Sequence, residues 1–491
     1  MKNRILLINP PLSAEPDTKF LNHQIPLGFL YMAGALEKKG FIVKILDCPL
    51  YYNLRRKSGN LIKIGLFPKQ IKQEIMDFKP DMIGLNCSFT MFESDSFEVI
   101  DLIKKINKSI KIIVGGAHVS ANTEFVLRNR KIDLAVIGEG ELTMLEIAER
   151  FRAGKNLENI KGTALILNKK MKKNPPRELM QNLDELEPAW HLINFKKYFE
   201  HPDSSSVAMR LPSVHLITSR GCPGNCVFCS VHTVWGRKWR AMSPEKVVGQ
   251  IEYLYKNHGV KHFRFNDDNL TLDKKRIIKI CQLILEKKID IKWDTPSGVA
   301  LWTLDKEVLF MMKKAGYYRI TFGIESGCEK TRKYIGKTFD MNKVEELIDY
   351  CHKIGLWVAS FFIIGFPHES QKELDEACKY IINSKINFPF IFLAQPYPGT
   401  RMYEDFIKAD LLPEVRVAST FVNSKYNSKY FTGDQLNEIR AKIYKNFYLN
   451  KIKRYLNPLI FYEEFLSKIR TFEDFKYVLK IVQSLITTFN Y

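Results

Sequence analysis

This 491-residue sequence predicts two α/β units in series, each built on a parallel sheet, and then a helical tail. Three observations predict it. Short β-branched or Leu-rich segments alternate with helical patterns from residue 4 to about 150, and the same rhythm resumes at Ser213 for six repeats. Nearly every cluster of Gly, Asn, Cys, Asp or Glu falls directly after one of the predicted strands. Alternation of this kind specifies parallel strands covered by helices, and ligands of such sheets bind at the carboxyl ends of the strands.

In the first unit, residues 1–150, Arg4–Asn9, Phe41–Leu46, Met82–Asn86, Ile110–Val114 and Leu134–Ile137 read as strands. Phe29–Lys39, Pro68–Phe78, Phe92–Ile106 and Leu142–Phe151 read as the helices between them, which makes a doubly wound, Rossmann-like sheet. Its strand ends carry Asn9-Pro10-Pro11, Asn86-Cys87-Ser88-Phe89-Thr90, Gly115-Gly116-Ala117-His118 and Gly138-Glu139-Gly140-Glu141. Glycine there lets backbone approach a ligand closely, and small polar residues supply donors and acceptors. With no G-x-G-x-x-G and no Walker motif, the residues alone indicate a nucleotide-sized cofactor site and no more.

Residues 151–210 read as a connector. Gly162–Leu167 and Met171–Asn174 form a hairpin turned at Asn168-Lys169-Lys170 and ended by Pro175-Pro176. The second unit, residues 211–410, has strands at Val214–Thr218, His262–Asn266, Ile291–Asp294, Tyr318–Ile324, Trp357–Ile364 and Phe388–Gln395. Ser243-Pro244 starts a helix, and Gly259, Gly316 and Gly355 close helices. Six βα repeats are too few for an eight-stranded barrel, so an open (β/α)6 partial TIM barrel is expected, with its chemistry on the loops after the strands. Those loops hold Asn266-Asp267-Asp268-Asn269, Gly323-Ile324-Glu325-Ser326-Gly327, Gly365-Phe366-Pro367-His368-Glu369 and Pro396-Tyr397-Pro398-Gly399-Thr400. Asp267, Asp268 and Glu325 each precede a helix, so capping is the competing reading of each. Residues 411–491 show helical apolar spacing, as in Leu436–Leu449, with many Tyr, Phe and Lys; they read as a packed helical cap, with contact to a membrane surface as the alternative.

After the first strand of this unit comes Cys222-Pro-Gly-Asn-Cys226-Val-Phe-Cys229. Three thiolates are one short of the four that enclose a cubane iron–sulfur cluster, and an open iron is where a substrate can bind. A zinc knuckle completed by His232 is the other reading of the same residues. No apolar run approaches a membrane span and no signal peptide is recognisable, so three clustered Cys indicate a reduced compartment and a cytoplasmic protein. The other six Cys are scattered and read as small buried hydrophobes. A net charge of +21 admits an anionic substrate, a membrane or nucleic acid, but no basic tract dominates; the lysines read as solvated helix faces, and no nucleic acid is expected.

The C-x3-C-x2-C spacing, with an aromatic before the last Cys, resembles the radical S-adenosylmethionine (SAM) superfamily. The resemblance implies a [4Fe-4S] cluster on Cys222, Cys226 and Cys229, whose free iron chelates the amine and carboxylate of SAM. It further implies that Glu325 and Ser326 meet the SAM ribose or amine, that Asp267 and Asp268 stand near the amine, and that Phe228, Phe366 and Pro367 line the adenine pocket. Lys337 reads either as a contact to the SAM carboxylate or as a solvated lysine.

The set Pro26-Leu27-Gly28, Ser88-Phe89-Thr90, Gly115-Gly116 with His118, and Gly138-Glu139-Gly140-Glu141 resembles the cobalamin-binding domain upstream of many radical SAM enzymes. The D-x-H-x-x-G motif that supplies a cobalt-ligating His elsewhere is missing, as it usually is in this group. The run Trp235-Gly236-Arg237-Lys238-Trp239-Arg240 is also typical of the group; it would cover the cluster or meet the cobalamin domain.

The implied activity is methylation of an unactivated carbon, through a 5′-deoxyadenosyl radical and a methyl group carried on cobalamin. Electrons would come from a flavodoxin or ferredoxin, and the substrate would be a small molecule, lipid or peptide. A cyclase, oxidase or rearrangement enzyme with the same cofactors is the close alternative. A tRNA methylthiotransferase would need a further Cys triplet where this chain has only Cys48 and Cys87. A cobalamin or redox sensor would leave the barrel loops without a purpose.

Overall fold

The computed structural model describes residues 3–16, 23–129, 131–201, 208–412 and 426–489. The chain divides into two compact units, Met1–Ser204 with Ser230–Arg240, and Ser205–Cys229 with Ala241–Tyr491.

In the first unit, β1 (Arg4–Asn9), β2 (Ile42–Asp47), β3 (Met82–Asn86), β4 (Lys111–Gly115) and β5 (Leu134–Val136) are parallel neighbours in the order β2-β1-β3-β4-β5. The strands are apolar through most of their length because both faces are covered. Leu6 and Ile8 of β1 enter one core with Ile83, Leu85, Ile112 and Val114, whereas Ile5 and Leu7 enter the other with Met82 and Ile113. The strand order reverses between β1 and β3, where a doubly wound sheet binds its ligand. Asn86 donates from Nδ2 to Asn9 Oδ1 at 3.0 Å across that point, and Asn9 Nδ2 donates to Asp47 at 2.8 Å.

The hairpin expected in the connector forms as β6 (Thr163–Leu167) and β7 (Lys170–Lys173). Its two-residue turn places Asn168 and Lys169 at φ +50° and +65°, as a type I′ turn requires. It also extends the first sheet, β6 pairing antiparallel with β5. A small sheet of Leu12–Ala14, Leu61–Ile64 and Arg55–Ser58 was not anticipated. Its signal was Gly59-Asn60 between two short strands, with Gly59 at φ +60°.

The second unit is an open barrel of six parallel strands in sequence order: β8 (Ser213–Leu216), β9 (His262–Phe265), β10 (Lys292–Asp294), β11 (Tyr317–Glu325), β12 (Trp357–Ile364) and β13 (Phe388–Leu393). Consecutive parallel neighbours are what repeated right-handed crossovers produce. Ser243 Oγ accepts from Lys246 N to start Pro244–His258, and Gly259 ends that helix at φ +66°. Neither Asp267, Asp268 nor Glu325 caps a helix. Asp273 caps Lys274–Glu286, and Cys328 precedes Glu329–Ile335 without a side-chain bond, so the capping alternative is excluded for all three.

The tail is helical. Gly433–Arg454 runs beside Gln371–Asn383 and β13, and Ile391 N donates to Tyr444 Oη at 3.0 Å, which covers a free strand edge. Phe472–Phe489 inserts Tyr477 among Met209, Tyr318 and Trp357, beside Arg319 near the start of β11. Glu464 O accepts from Asn387 just before β13. Among the described residues the tail therefore closes the edge and the amino end of the barrel, away from the Cys loop; Leu436, against Gly365, reaches the other end.

Candidate active site

The Cys loop is held at its root and at its middle. Asp267, after β9, takes hydrogen bonds from Thr218 N (3.1 Å), Thr218 Oγ1 (2.8 Å) and Ser219 Oγ (2.6 Å). Arg276 donates to Thr218 O and Oγ1 at 3.0 Å each. Further on, Val227 N donates to Ile335 O and Met402 N donates to Val227 O, which pins the loop through a buried valine. Cys222 and Cys226 between these anchors, and Cys229 just after the second, stay partly open. A Cβ on Gly224 would lie 3.3 Å from Cys222 Sγ and 4.0 Å from Cys226 Sγ, so two thiols flank a bare glycine. Among the described residues no group of three or more His, Cys, Asp or Glu side chains converges as the ligands of a single ion would, the three thiols included. The same Gly224 Cβ would lie 3.8 Å from the Trp302 ring, which is half exposed; nothing local in the sequence marks it.

The two neighbouring carboxylates part company. Asp267 is fully enclosed and its bonds are internal, so the structure makes it the anchor of the Cys loop and corrects the expectation that it faces the SAM amine. Asp268 is partly open and accepts from Gly221 N at 3.2 Å. Burial pushes its carboxyl up to about 7, with that amide bond opposing. A cationic ligand would reverse the push.

Glu325 ends β11 in a left-handed conformation, φ +67°, where the register with β12 shifts. A non-glycine residue held there is strained by about 1–3 kcal/mol, and such strain gathers at functional sites. Lys337 holds it: Nζ donates to Glu325 Oε1 at 2.7 Å and to Gly323 O at 2.8 Å. A Cβ at Gly323 would meet Nζ at 2.7 Å, so the glycine makes room for the lysine. Burial alone would pull the ammonium down, but Glu325, and then the Cys226 and Cys229 thiols, hold it above the ordinary lysine value. Lys337 is thus a buried partner of Glu325 beside the thiols, which corrects the solvated alternative. Ser326 and Phe366 are fully enclosed; Phe366 shares an apolar cluster with Val227, Ile335 and the part-open Phe228. Pro367 is buried behind them. Glu369, outside the expected set, accepts from Gly365 N and Phe366 N and so shapes this wall.

In the first unit the expected residues come together at one edge but are mostly engaged within the chain. His118 is buried, with Nδ1 2.9 Å from Thr90 Oγ1 and Nε2 against Glu93. A Cβ on Gly116, at φ +123°, would lie 2.7 Å from Cys87 O, so this glycine serves a close backbone crossing. Ser88 Oγ donates to Asn86, Gly138 N donates to Ser120 Oγ, and Gly115 has ordinary surroundings. Glu139 accepts from Met180 N and pairs with Arg240 at 2.7 Å, and Glu141 is buried. Gly140 packs against Met32. Open space remains at Gly28, in the first turn of the helix Leu27–Glu37, and at the exposed Phe89 ring. A cavity of about 380 Å³ lies beside Gly138, Glu139 and Leu142, walled by Asn174, Leu179 and Val234. Residues 230–240 belong to this unit, and Arg240 also donates to Met180 O and Trp235 O. The Trp/Arg run therefore packs within the first unit.

These residues fit the implied groups. Two thiols flanking a bare glycine beside a buried ammonium suit a three-thiolate cluster, and Asp268, Glu325 and Phe228 give SAM two carboxylates and a ring. The open edge of the first sheet and its cavity suit a large flat cofactor with a side arm.

Comparison with known proteins agrees. The radical SAM superfamily model matches residues 216–381 and the B12 binding domain model matches residues 18–148. An uncharacterized methyltransferase of Pyrococcus horikoshii is 33% identical over 449 residues, 91% of this chain and 92% of that one. The cytidylyl-2-hydroxyethylphosphonate methyltransferase of Streptomyces wedmorensis is 28% identical over 92% of this chain and 91% of its own. The fold is that of the radical SAM methyltransferase TsrM of Kitasatospora setae, solved with cobalamin and a [4Fe-4S] cluster, at a TM-score of 0.66 and 17% identity over 83% of this chain and 75% of that one. The chain belongs to the cobalamin-dependent radical SAM methyltransferases.

Proposed function

We propose that this enzyme methylates an unactivated carbon, and that its side chains divide the work as follows. When bound, the cluster supplies one electron for reductive cleavage of SAM, and cobalamin supplies a transferable methyl group. Asp267 and Arg276 fix the root of the Cys loop. Lys337 holds Glu325 toward SAM and sets a positive charge beside the thiols. Asp268 takes the SAM ammonium, and Phe228, backed by Phe366 and Pro367, excludes water from the adenine side. The first unit contributes its open sheet edge and cavity for cobalamin through Pro26–Gly28, Ser88–Thr90 and the two glycine loops. The single observation that carries this reading is the buried, strained Glu325–Lys337 pair beside the Cys226 and Cys229 thiols, in a chain that also has a B12 unit.

Among the described residues no helix is long and apolar enough to cross a membrane. We place the enzyme in the cytoplasm with a flavodoxin or ferredoxin as reductant and no nucleic-acid partner. Anaerobic reconstitution with iron, sulfide and cobalamin, followed by reduction with SAM, tests the reading. Expected are 5′-deoxyadenosine that disappears in Cys226→Ala and, with substrate, S-adenosylhomocysteine. Substrate turnover with 5′-deoxyadenosine but no S-adenosylhomocysteine would replace methyl transfer by cyclisation, oxidation or rearrangement.

A further inference from the structure

The tail helix Gly433–Arg454 buries Ile443, Phe447 and Lys451 against the barrel. On its exposed side it carries two further apolar residues, Leu449 and Ile452, and Leu456 follows in the turn after the helix. After that turn, Leu459 and Tyr462 on Pro458–Glu464, and Leu466 just beyond it, add further exposed apolar side chains. At the turn Leu456 and Leu459 are 79% and 80% exposed. A surface helix needs one apolar face to pack, so these exposed residues have no role in the fold. An exposed apolar set of this size marks an interaction site.

The charges around it indicate the partner. Within residues 440–470, Lys442, Lys445, Lys453 and Arg470 are exposed, and Glu463 is the one exposed acid. Glu464 is buried against Lys451 and Arg454. Exposed aliphatic side chains at a turn, a tyrosine among them and lysines around them are the ingredients of an interfacial anchor, where apolar insertion and attraction to acidic headgroups act together. A second copy docking through the same face would set like charges against each other, since an isologous contact is self-complementary.

We infer that the corner formed by residues 442–466 docks this enzyme on an anionic lipid bilayer. The corner lies in the second unit and uses none of the residues assigned to the cofactors. Sedimentation of the reconstituted full chain with phosphatidylcholine vesicles, with and without phosphatidylglycerol, tests it. Binding should require phosphatidylglycerol and weaken as salt is raised. Leu456→Glu with Leu459→Glu should lower the partition coefficient about tenfold or more. Lys442→Gln, Lys445→Gln and Lys453→Gln should cost up to about fivefold each. Unchanged cobalamin retention and 5′-deoxyadenosine formation in these variants would show an intact fold. Absence of binding by the wild type, or equal binding by the variants, overturns the inference. So does a concentration-dependent dimer that the Leu variants abolish without any vesicle binding, which would make the corner a contact between copies.

Discussion

The two units obey the same rule, with chemistry on the loops after parallel strands, but they fill those loops differently. In the barrel, charged side chains are spent on the site: Glu325 is held in a left-handed conformation by a buried lysine, and Asp268 stays partly open beside the Cys loop. In the first unit the equivalent side chains are spent on the fold: His118 on Thr90 and Glu93, Glu139 on Arg240 and Met180. A small, charged ligand bound at a metal corner needs placed charges. A large, flat, mostly neutral one needs an open edge and shape, which backbone and glycine supply.

The largest expected break in that contrast comes from Lys337→Met. It leaves Glu325 buried and unpaired, which should cost about 3–5 kcal/mol in denaturant titrations of the second unit. 5′-Deoxyadenosine formation should fall by about two orders of magnitude or more, with cobalamin retention unchanged. Activity within twofold of wild type would show that the barrel, too, works through its backbone.

Glu369→Gln sharpens the same side through pH. Burial pushes the Glu369 carboxyl up to about 7, opposed by the Gly365 and Phe366 amides. A carboxyl raised in the folded state binds protons that the unfolded chain has released. Wild-type stability should therefore fall relative to the variant from about pH 4.5 to 7 and level off above, by up to about 3 kcal/mol. Urea midpoints of both proteins across that range would be compared, and parallel curves would refute the assignment.

In the first unit, Gly116→Ala adds a Cβ against Cys87 O at an unfavourable φ. A loss of about 2–3 kcal/mol is expected. Cobalamin retention should fall as well, since this loop is one of those proposed to hold cobalamin; thermal melting and gel filtration in parallel separate lost binding from unfolding. The smallest effect is expected from His118→Gln: about 1–2 kcal/mol from lost buried hydrogen bonds, and no change in the absorbance of bound cobalamin. A spectral shift would mean that His118 reaches cobalt and that the contrast between the units is wrong.

Much of this was legible in the chain. The strand positions agreed to within a residue or two because period-2 and period-3.6 patterning and Gly caps are local signals. The Gly59-Asn60 hairpin was legible and missed, since its strands Arg55–Ser58 and Leu61–Ile64 are only four residues long and the first is wholly polar. Trp302 was not legible: its approach to Gly224 joins loops nearly eighty positions apart in sequence.

By itself the sequence determined the two α/β units, the three thiols on one loop and the alignment of unusual residues at the strand ends. Each of these depends on spacing within a few residues, which chain geometry translates directly into structure. Only the tertiary structure decided which carboxylate stays open. Asp267 and Asp268 are neighbours of one type, but Thr218 and Ser219 lie within reach of the first alone. It likewise decided that Lys337 answers Glu325, that residues 230–240 join the first unit, and that the tail closes the amino end of the barrel. These outcomes turn on burial and on contacts between distant segments, where the cost of an unpaired charge selects the partner and no local pattern names it.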